Sequence, residues 1–177
     1  MFEGINWILN ENVVNKKYYN KEITTYVRPI QEKDLNEKLN GIKDNDIINK
    51  IINEHYEIGI VKRFDFSSKL QRMSVLVKNT NESFFKYFVK GSPEKIKELC
   101  KPSTLPSDFN EQLDNCTSKG YRVLAMGYKI IDMNINQCLE MSRTYAEKNI
   151  NFLGFLIVQN QLKKETYLHL IFYLMLI

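Results

Sequence analysis

The chain has 177 residues, of which 44% are hydrophobic and 26% charged, a balance typical of a globular protein with one hydrophobic core. Its net charge of +4 fits a pocket for an anionic ligand but does not by itself indicate one. The three cysteines Cys100, Cys116 and Cys138 form no CxxC pair, and with two histidines they exclude zinc-site spacing, so we expect free buried thiols.

The N-terminal third of the chain differs in composition from the rest. Residues 1–14 predict a short amphipathic helix that leads into the domain. Its apolar side chains are Phe2, Ile5, Trp7, Ile8 and Leu9. Residues 15–53 are rich in Asn, Lys, Asp and Glu, which predicts a polar low-complexity insertion at the surface, flexible or loosely helical, rather than core.

Neither end of the sequence predicts a targeting signal or a membrane span. The N-terminus lacks the basic and apolar regions of a signal peptide. Residues 167–177 form a divergent tail that is apolar except for His169. As a helix rising about 1.5 Å per residue, this tail is too short for a hydrocarbon core of roughly 30 Å.

From His55 the pattern becomes that of a folded domain, which we expect over residues 54–166. Residues 57–61 with 64–66, 72–77 and 84–90 predict three strands of an antiparallel meander. The polar residues 79–83 predict the turn before the third strand.

A helix start follows the third strand. Ser92 is a favourable N-cap, Pro93 suits the first helical position, and Glu94 favours the positive end of the helix. The buried stripe of this helix is predicted to be Ile96, Leu99 and Cys100. Pro102 and Pro106 then prevent its continuation.

A second helix is predicted over residues 108–119, capped by Ser107 and ended by Gly120 in a left-handed conformation. Its inward side chains are predicted to be Phe109, Leu113 and Cys116. Residues 121–131 and 151–158 predict two more strands, with a helix over 137–147 between them. The expected fold is therefore α+β, an antiparallel sheet with helices packed against it.

Several familiar catalytic signatures are missing. The sequence contains no GxxxxGK[ST] loop, no GxGxxG, no GxSxG and no HExxH. P-loop ATPases, Rossmann enzymes and zinc metalloproteases are therefore disfavoured.

Three stretches could instead meet as a nucleotide pocket, because strand ends that lie far apart in sequence can converge in a sheet. They offer the aromatic ring of Phe66, the ammonium of Lys90 and the guanidinium of Arg122. A base can stack on an aromatic ring, and cations can bind phosphates. Each residue also has an ordinary alternative: Phe66 as a core residue, Lys90 as a solvated strand-end charge and Arg122 as a surface side chain.

The strings FDFSSKLQRMSV, VKGSPEKIKELC and SKGYRVLAMGYK occur in this order and resemble the nucleotide-binding domain of P-type ATPases. Together with KPSTLPSDFNEQLDNCTSKGYRVLA and FLGFLIVQNQLKKET, they most resemble the P5 subfamily, in its P5B branch of polyamine and cation transporters. MFEGINWILNE is similar to the segment after the family's GDP-type motif. The resemblance covers about residues 1–12 and 55–166.

The resemblance implies roles for individual residues. Phe66 would stack on adenine, Lys90 with Gly91 would line the base and sugar side, and Arg122 would reach the phosphates. Gln71 stands where other branches often carry a lysine, so Arg72 would be a substitute for that charge. Ser67 and Ser68 would shape the turn.

The same resemblance implies that ATP is the ligand and that Mg²⁺ arrives with it, held mainly by another domain. The family's DKTGT, TGD and GDGxND motifs do not occur in the sequence. We therefore expect no catalytic residue and no metal ligand here, and a chain that binds ATP weakly without hydrolysing it. The implied partners are the phosphorylation and actuator domains of a transporter, at the cytosolic face of a membrane. The chain by itself is expected to be a soluble cytoplasmic fragment.

Two other functions remain open at this point. A non-enzymatic remnant could use the apolar tail and the polar insertion for protein interaction. A nucleic-acid binder is suggested only by basic charge and aromatic residues. The sequence has no concentrated Lys/Arg stripe, which disfavours nucleic acid as a partner.

Overall fold

The computed structural model describes residues 7–11, 23, 25–29, 57–79 and 82–159. Within these residues seven antiparallel strands form one sheet, and each strand lies beside its neighbours in sequence. The strands are β1 (Trp7–Asn10), β2 (Thr25–Pro29), β3 (Ile58–Ser67), β4 (Arg72–Asn79), β5 (Phe85–Gly91), β6 (Arg122–Ile131) and β7 (Asn151–Val158). The predicted antiparallel meander is confirmed and extends across the whole sheet.

The helices of the described chain follow β5 and β6. They are α1 (Pro93–Leu99), α2 (Phe109–Ser118), α3 (Ile135–Glu140) and α4 (Arg143–Ala146), with a 3-10 turn at Pro102–Thr104. The α+β class predicted from the sequence is therefore confirmed.

The two faces of the sheet differ because side chains alternate along each strand. On one face, which we call the covered face, the helices bury Leu76, Tyr87 and Val89 together with Ile96 of α1 and Cys138 of α3. The other face, which we call the open face, carries side chains that remain partly accessible. They include Met73, Val75, Phe88, Lys90 and Met126. A functional site can form on the open face without disrupting the core.

The helix predicted over residues 1–14 is wrong at Trp7–Asn10, which form β1. In β1, Ile8 pairs with Arg28 and Leu9 with Val27. The antiparallel partner satisfies the backbone N–H and C=O groups, so tertiary pairing overrides the local helical periodicity. Residues 1–6 and 12–14 lie outside the described residues.

The prediction that residues 15–53 contain no core is also wrong in part. Thr25–Pro29 form β2, which lies between β1 and β3, and Ile23 and Tyr26 are buried in the core. The polar composition of the surrounding segment concealed this short strand, because five residues contribute little to a composition measured over 39. The rest of the predicted insertion, like the tail at 167–177, lies outside the described residues.

Two helix predictions need adjustment and one is confirmed. Ser92 caps α1 as predicted, since its Oγ accepts a hydrogen bond from the Lys95 amide at 3.4 Å. The N-cap of α2 is Asp108 rather than Ser107, and Gly120 adopts the predicted left-handed φ of 77° after the helix.

The single helix predicted over residues 137–147 is two short helices. Lys62 of β3 donates to the carbonyl of Met141 at 2.9 Å, and the Oγ of Ser142 accepts from the Tyr145 amide at 3.3 Å. These side-chain bonds end α3 and start α4, so the backbone groups at the break remain satisfied.

All three cysteines are free, as predicted, although only Cys100 and Cys138 are buried. Burial raises the pKa of the Cys100 thiol to about 11 and also raises that of Cys138. Because the thiolate is the reactive form, both residues are protected by inaccessibility and by a low thiolate fraction.

We therefore expect Cys116, which is half-exposed, to be alkylated first by iodoacetamide at pH 8. Cys100 and Cys138 should react only after denaturant is added. Peptide mass spectrometry at timed intervals measures this order. Rapid alkylation of Cys100 in the native protein would contradict the packing of α1 against the sheet.

Candidate functional site

A cavity of about 280 Å³ lies at the open face, across strands β3 to β6. Its residues are Arg63, Phe64, Asp65, Met73, Ser74, Val75, Phe88, Val89, Lys90 and Met126. Most of this surface is apolar, with charged groups from Arg63, Asp65 and Lys90. A mostly apolar cavity with a few polar groups is typical of small-molecule sites.

A β-bulge shapes the β3 side of this cavity. Phe64 pairs with Ser74 and Ser67 with Arg72, so Asp65 and Phe66 together oppose the single residue Met73. An extra residue in one strand bends that strand and redirects its side chains. Phe66 is left 62% exposed, which rules out the alternative that it is a core residue.

Lys90 lies in the same transverse row of the sheet as this bulge. It pairs with Met73 on one side and with Met126 on the other. Neighbouring strands lie about 4.8 Å apart, so the backbones of Phe66 and Lys90 are separated by roughly 10 Å. Within the described residues, no ion pair or hydrogen bond occupies the Lys90 ammonium, so it is available to a ligand.

Arg122 begins β6 and is exposed. It lies four residues before Met126 on the same strand, so alternation brings it to the open face with Lys90. At about 3.3 Å per residue, roughly 13 Å of strand separates its level from that of Lys90. Lys90 and Arg122 therefore share the open face, with Arg122 farther along the sheet. Phe66 is exposed at the bulge in the row of Lys90, and neither Phe66 nor Arg122 is among the residues that surround the cavity.

The turn between β3 and β4 contains three of the residues named from the sequence. The Ser67 carbonyl accepts from the Leu70 amide at 3.1 Å and the Gln71 amide at 2.6 Å, and its Oγ accepts from Leu70 at 3.4 Å. Ser68 is exposed, and Gln71 adopts a positive φ of 52°. The Gln71 carbonyl in turn accepts from the Ser92 amide at 3.0 Å. The turn is thereby connected to the start of α1.

Gly91 has a structural reason to be glycine at the contact between β5 and this turn. A Cβ atom there would lie 2.5 Å from the Gln71 carbonyl oxygen and 2.6 Å from the Arg72 Cβ. Gly91 is buried and is not among the residues that surround the cavity. Gly91 is therefore packed closely against Gln71 and Arg72 of the same chain.

Arg72 lies on the covered face rather than with Lys90. Its Nε and Nη2 atoms each lie 2.7 Å from Oε2 of the buried Glu147. A guanidinium engaged in this way is directed away from the cavity. Arg72 therefore does not share the face of Lys90 and Arg122.

Sequence reasoning missed most of the cavity surface. Phe88 precedes Lys90 by two residues in β5, so strand alternation could have indicated that they share a face. Met73 and Met126 reach the site only through cross-strand pairing with Lys90. The sequence contains no local signal for that register.

A sequence model of the family described as "P-type ATPase, cytoplasmic domain N" matches residues 34–165. This chain belongs to that family. The match spans three-quarters of the chain, and the seven-stranded antiparallel sheet with packed helices agrees with the N-domain fold.

Curated relatives point to one group of these ATPases. The N domain is 37% identical over 169 residues to polyamine-transporting ATPase 13A3 of Mus musculus, covering 94% of this chain and 14% of the relative. It is 36% identical over 178 residues to vacuolar cation-transporting ATPase YPK9 of Saccharomyces cerevisiae, covering 94% and 12%. The similarity to probable cation-transporting ATPase 13A5 of Homo sapiens is 32% over 168 residues, again covering 94% and 12%. The resemblance to the P5B branch is confirmed, and the chain spans about one-eighth of these relatives' length.

The family implies ATP and Mg²⁺ as ligands of the whole ATPase, and the two fit the N domain differently. An apolar cavity beside an available ammonium suits a nucleotide. In the described part of the chain, no three His, Cys, Asp or Glu side chains are grouped as metal ligands. Of the two ligands, the nucleotide rather than the metal ion suits the side chains that the structure describes. None of the helices in the described ranges has the length and hydropathy of a membrane span.

Proposed function

We propose that this N domain binds ATP on its open face, with the adenine at the cavity between β3 and β6. The observation that carries the proposal is the shared row of Phe66 and Lys90 beside a mostly apolar cavity. The exposed Phe66 ring offers a face on which adenine stacks. Stacking on an aromatic side chain contributes about 1–3 kcal/mol per base.

The two cations would bind the rest of the nucleotide. Lys90 contacts the ribose and the nearer phosphates, and Arg122, about 13 Å along β6, reaches the distal phosphates. Ser67, Ser68 and Gln71 belong to the turn that borders this region, and hydrogen bonds of Ser67 and Gln71 hold its backbone. Gly91 supports the site by allowing β5 to pack closely against the turn, rather than by contacting the ligand. Arg72 supports it by stabilising the fold through its ion pair with Glu147.

In a complete P-type ATPase, such an N domain would present the γ-phosphate of ATP to an aspartate in a phosphorylation domain. Its contribution is to position the nucleotide, since the chain contains none of the DKTGT, TGD or GDGxND motifs. Mg²⁺ would arrive bound to the phosphates and neutralise their charge. We therefore propose that the chain alone binds ATP weakly and does not hydrolyse it.

Titration with ATP, followed by amide chemical shifts, tests this proposal. We expect shifts at Phe66, Lys90 and Met126 that saturate with ATP. Phe66→Ala should weaken ATP binding by about 1–3 kcal/mol while leaving binding of inorganic tripolyphosphate unchanged, because only the base contacts the ring. Lys90→Ala should weaken both ligands, and more strongly at low salt.

Lys119→Ala is the matched control for the lysine variant. Lys119 is exposed at the end of α2, so its removal changes the net charge equally without touching the cavity. This variant should bind ATP as the unsubstituted chain does. Equal affinities for ATP in the unsubstituted chain, Phe66→Ala and Lys90→Ala would refute the proposed site.

A second candidate role is contact with another protein surface through β7. Its side chains Leu153, Leu156, Ile157 and Val158 are each at least 40% exposed, which is unusual for four apolar residues of one strand. Such a surface suits either a neighbouring ATPase domain or a separate partner. In-frame DKTGT and GDGxND motifs in the flanking genomic sequence would favour contact with a neighbouring ATPase domain. If those motifs were absent, contact with a separate partner would be favoured.

A further inference from the structure

A buried carboxylate lies outside the cavity, on the covered face. Glu147 follows α4 and is 3% exposed. Its Oε2 accepts from Arg72 at 2.7 Å, and its Oε1 accepts from Arg143 Nε at 2.8 Å and from the Ser74 hydroxyl at 3.3 Å. Both oxygens are therefore satisfied by side chains from β4 and α4.

The Arg143 guanidinium does more than neutralise this carboxylate. Its Nη1 donates to the Asp65 carbonyl at 3.1 Å, and its Nη2 donates to the Arg72 carbonyl at 2.8 Å. These carbonyls belong to neighbouring strands, β3 and β4. A planar guanidinium has the fixed fork of donors that such a bridge requires, and an ammonium does not.

The bridged carbonyls lie at the bulge that exposes Phe66. Asp65 is the first of the two residues opposite Met73, and Phe66 is the second. Arg72, on the other strand, immediately precedes Met73, the partner of Lys90. Arg143 is thereby bonded to both sides of the place where the register shifts.

We infer that Arg143, oriented by Glu147, is a positioning residue for the adenine-binding ring of Phe66. It reaches the site from the covered face through the backbone of the sheet and touches no nucleotide. By holding the bulge in one arrangement, it keeps the ring in register with Lys90. This role rests on the proposed nucleotide function. It extends that function to Arg143, which is not among the residues proposed to contact ATP.

A purely structural role for Arg143 would give a different coupling pattern. If Arg143 only stabilised the fold, Arg143→Lys and Phe66→Ala would affect ATP affinity independently. If Arg143 positions the ring, the loss of its bridge already removes most of the ring's contribution. The two substitutions should then be non-additive, as is usual for residues that act through one contact.

The experiment is a double-substitution cycle for ATP binding on the full chain, with Arg143→Lys and Phe66→Ala. Arg143→Lys keeps the positive charge beside Glu147. A lysine ammonium lacks the fork of donors that bonds Glu147 and the carbonyls of Asp65 and Arg72 at the same time. We expect Phe66→Ala to weaken ATP binding about fivefold or more in the unsubstituted background. In the Arg143→Lys background it should weaken binding less than about twofold.

Backbone hydrogen exchange without ligand supplies an independent readout. Arg143→Lys should speed exchange by about tenfold at the amides of Phe66, Ser67 and Met73, and leave those of β6 unchanged. Glu147→Gln preserves side-chain shape and should produce the same local pattern more weakly. It serves as the second variant if Arg143→Lys does not fold.

Two results would overturn the inference: additive effects in the cycle, or unchanged exchange at the bulge. Failure of the unsubstituted chain to bind ATP, or an inert Phe66→Ala, counts against the proposed function instead. The exchange measurement would still decide whether Arg143 holds the bulge, because it needs no nucleotide.

Discussion

Glu147→Ala is expected to lower the free energy of unfolding by about 3–5 kcal/mol, which is the usual range when one partner of a buried ion pair is removed. The Glu147 side chain is 2% exposed, and those of Arg72 and Arg143 are 14% and 20% exposed. Alanine would leave two largely buried guanidinium groups without their carboxylate. Since a domain of this size is stable by about 5–15 kcal/mol, the loss would be readily measured by urea denaturation.

Glu98→Ala is a matched control for that substitution. Glu98 also pairs with a cation, Lys95 at 3.0 Å, but its side chain is 62% exposed in α1. Exposed ion pairs contribute about 0–1 kcal/mol because water screens them, so this variant should unfold nearly as the unsubstituted chain does. Similar urea midpoints for Glu147→Ala and Glu98→Ala would show that the buried cluster does not stabilise the fold.

Gly91→Ala is expected to destabilise the domain by about 1–3 kcal/mol, the range for inserting a methyl group into a packed region. The added Cβ would lie 2.5 Å from the Gln71 carbonyl oxygen, and backbone atoms cannot yield as a flexible side chain can. Relief requires the β3–β4 turn to move away from β5. Because Lys90 precedes Gly91 and Phe66 lies just before the turn, we also expect weaker ATP binding.

Gly120→Ala separates close packing from the ordinary effects of replacing glycine. No atom lies within 4 Å of a Cβ built at Gly120, and only its φ of 77° disfavours a side chain. Its expected loss is about 1 kcal/mol, without any change in ATP affinity. Thermal unfolding and ATP titration of both variants measure these effects. A Gly91→Ala protein as stable as the unsubstituted chain would mean that the turn is looser than its hydrogen bonds indicate.

Strong local signals in the sequence determined most of the α+β domain from β3 onward. Pro93 after Ser92 defines the start of α1 because proline needs no amide partner there and serine accepts the first free N–H. Gly120 ends the α2 region because it adopts a left-handed φ without steric penalty. Residues 151–158 were predicted as a strand with the bounds that β7 has. The motif strings likewise indicated the N-domain family.

Only the tertiary structure decided β1, β2 and the grouping of the candidate site. Trp7–Asn10 form a strand because they pair with Thr25–Pro29. A pattern of four residues contains no information about a pairing partner that lies far away in the sequence. The sequence resemblance assigned ligand-binding roles to both Arg72 and Lys90. Strand register places Lys90 on the open face, whereas Arg72 lies on the covered face and bonds the buried carboxylate of Glu147, 75 residues later in the sequence. Which charge faces a ligand depends on pairing between distant segments, and that is a property of the folded sheet rather than of any one motif.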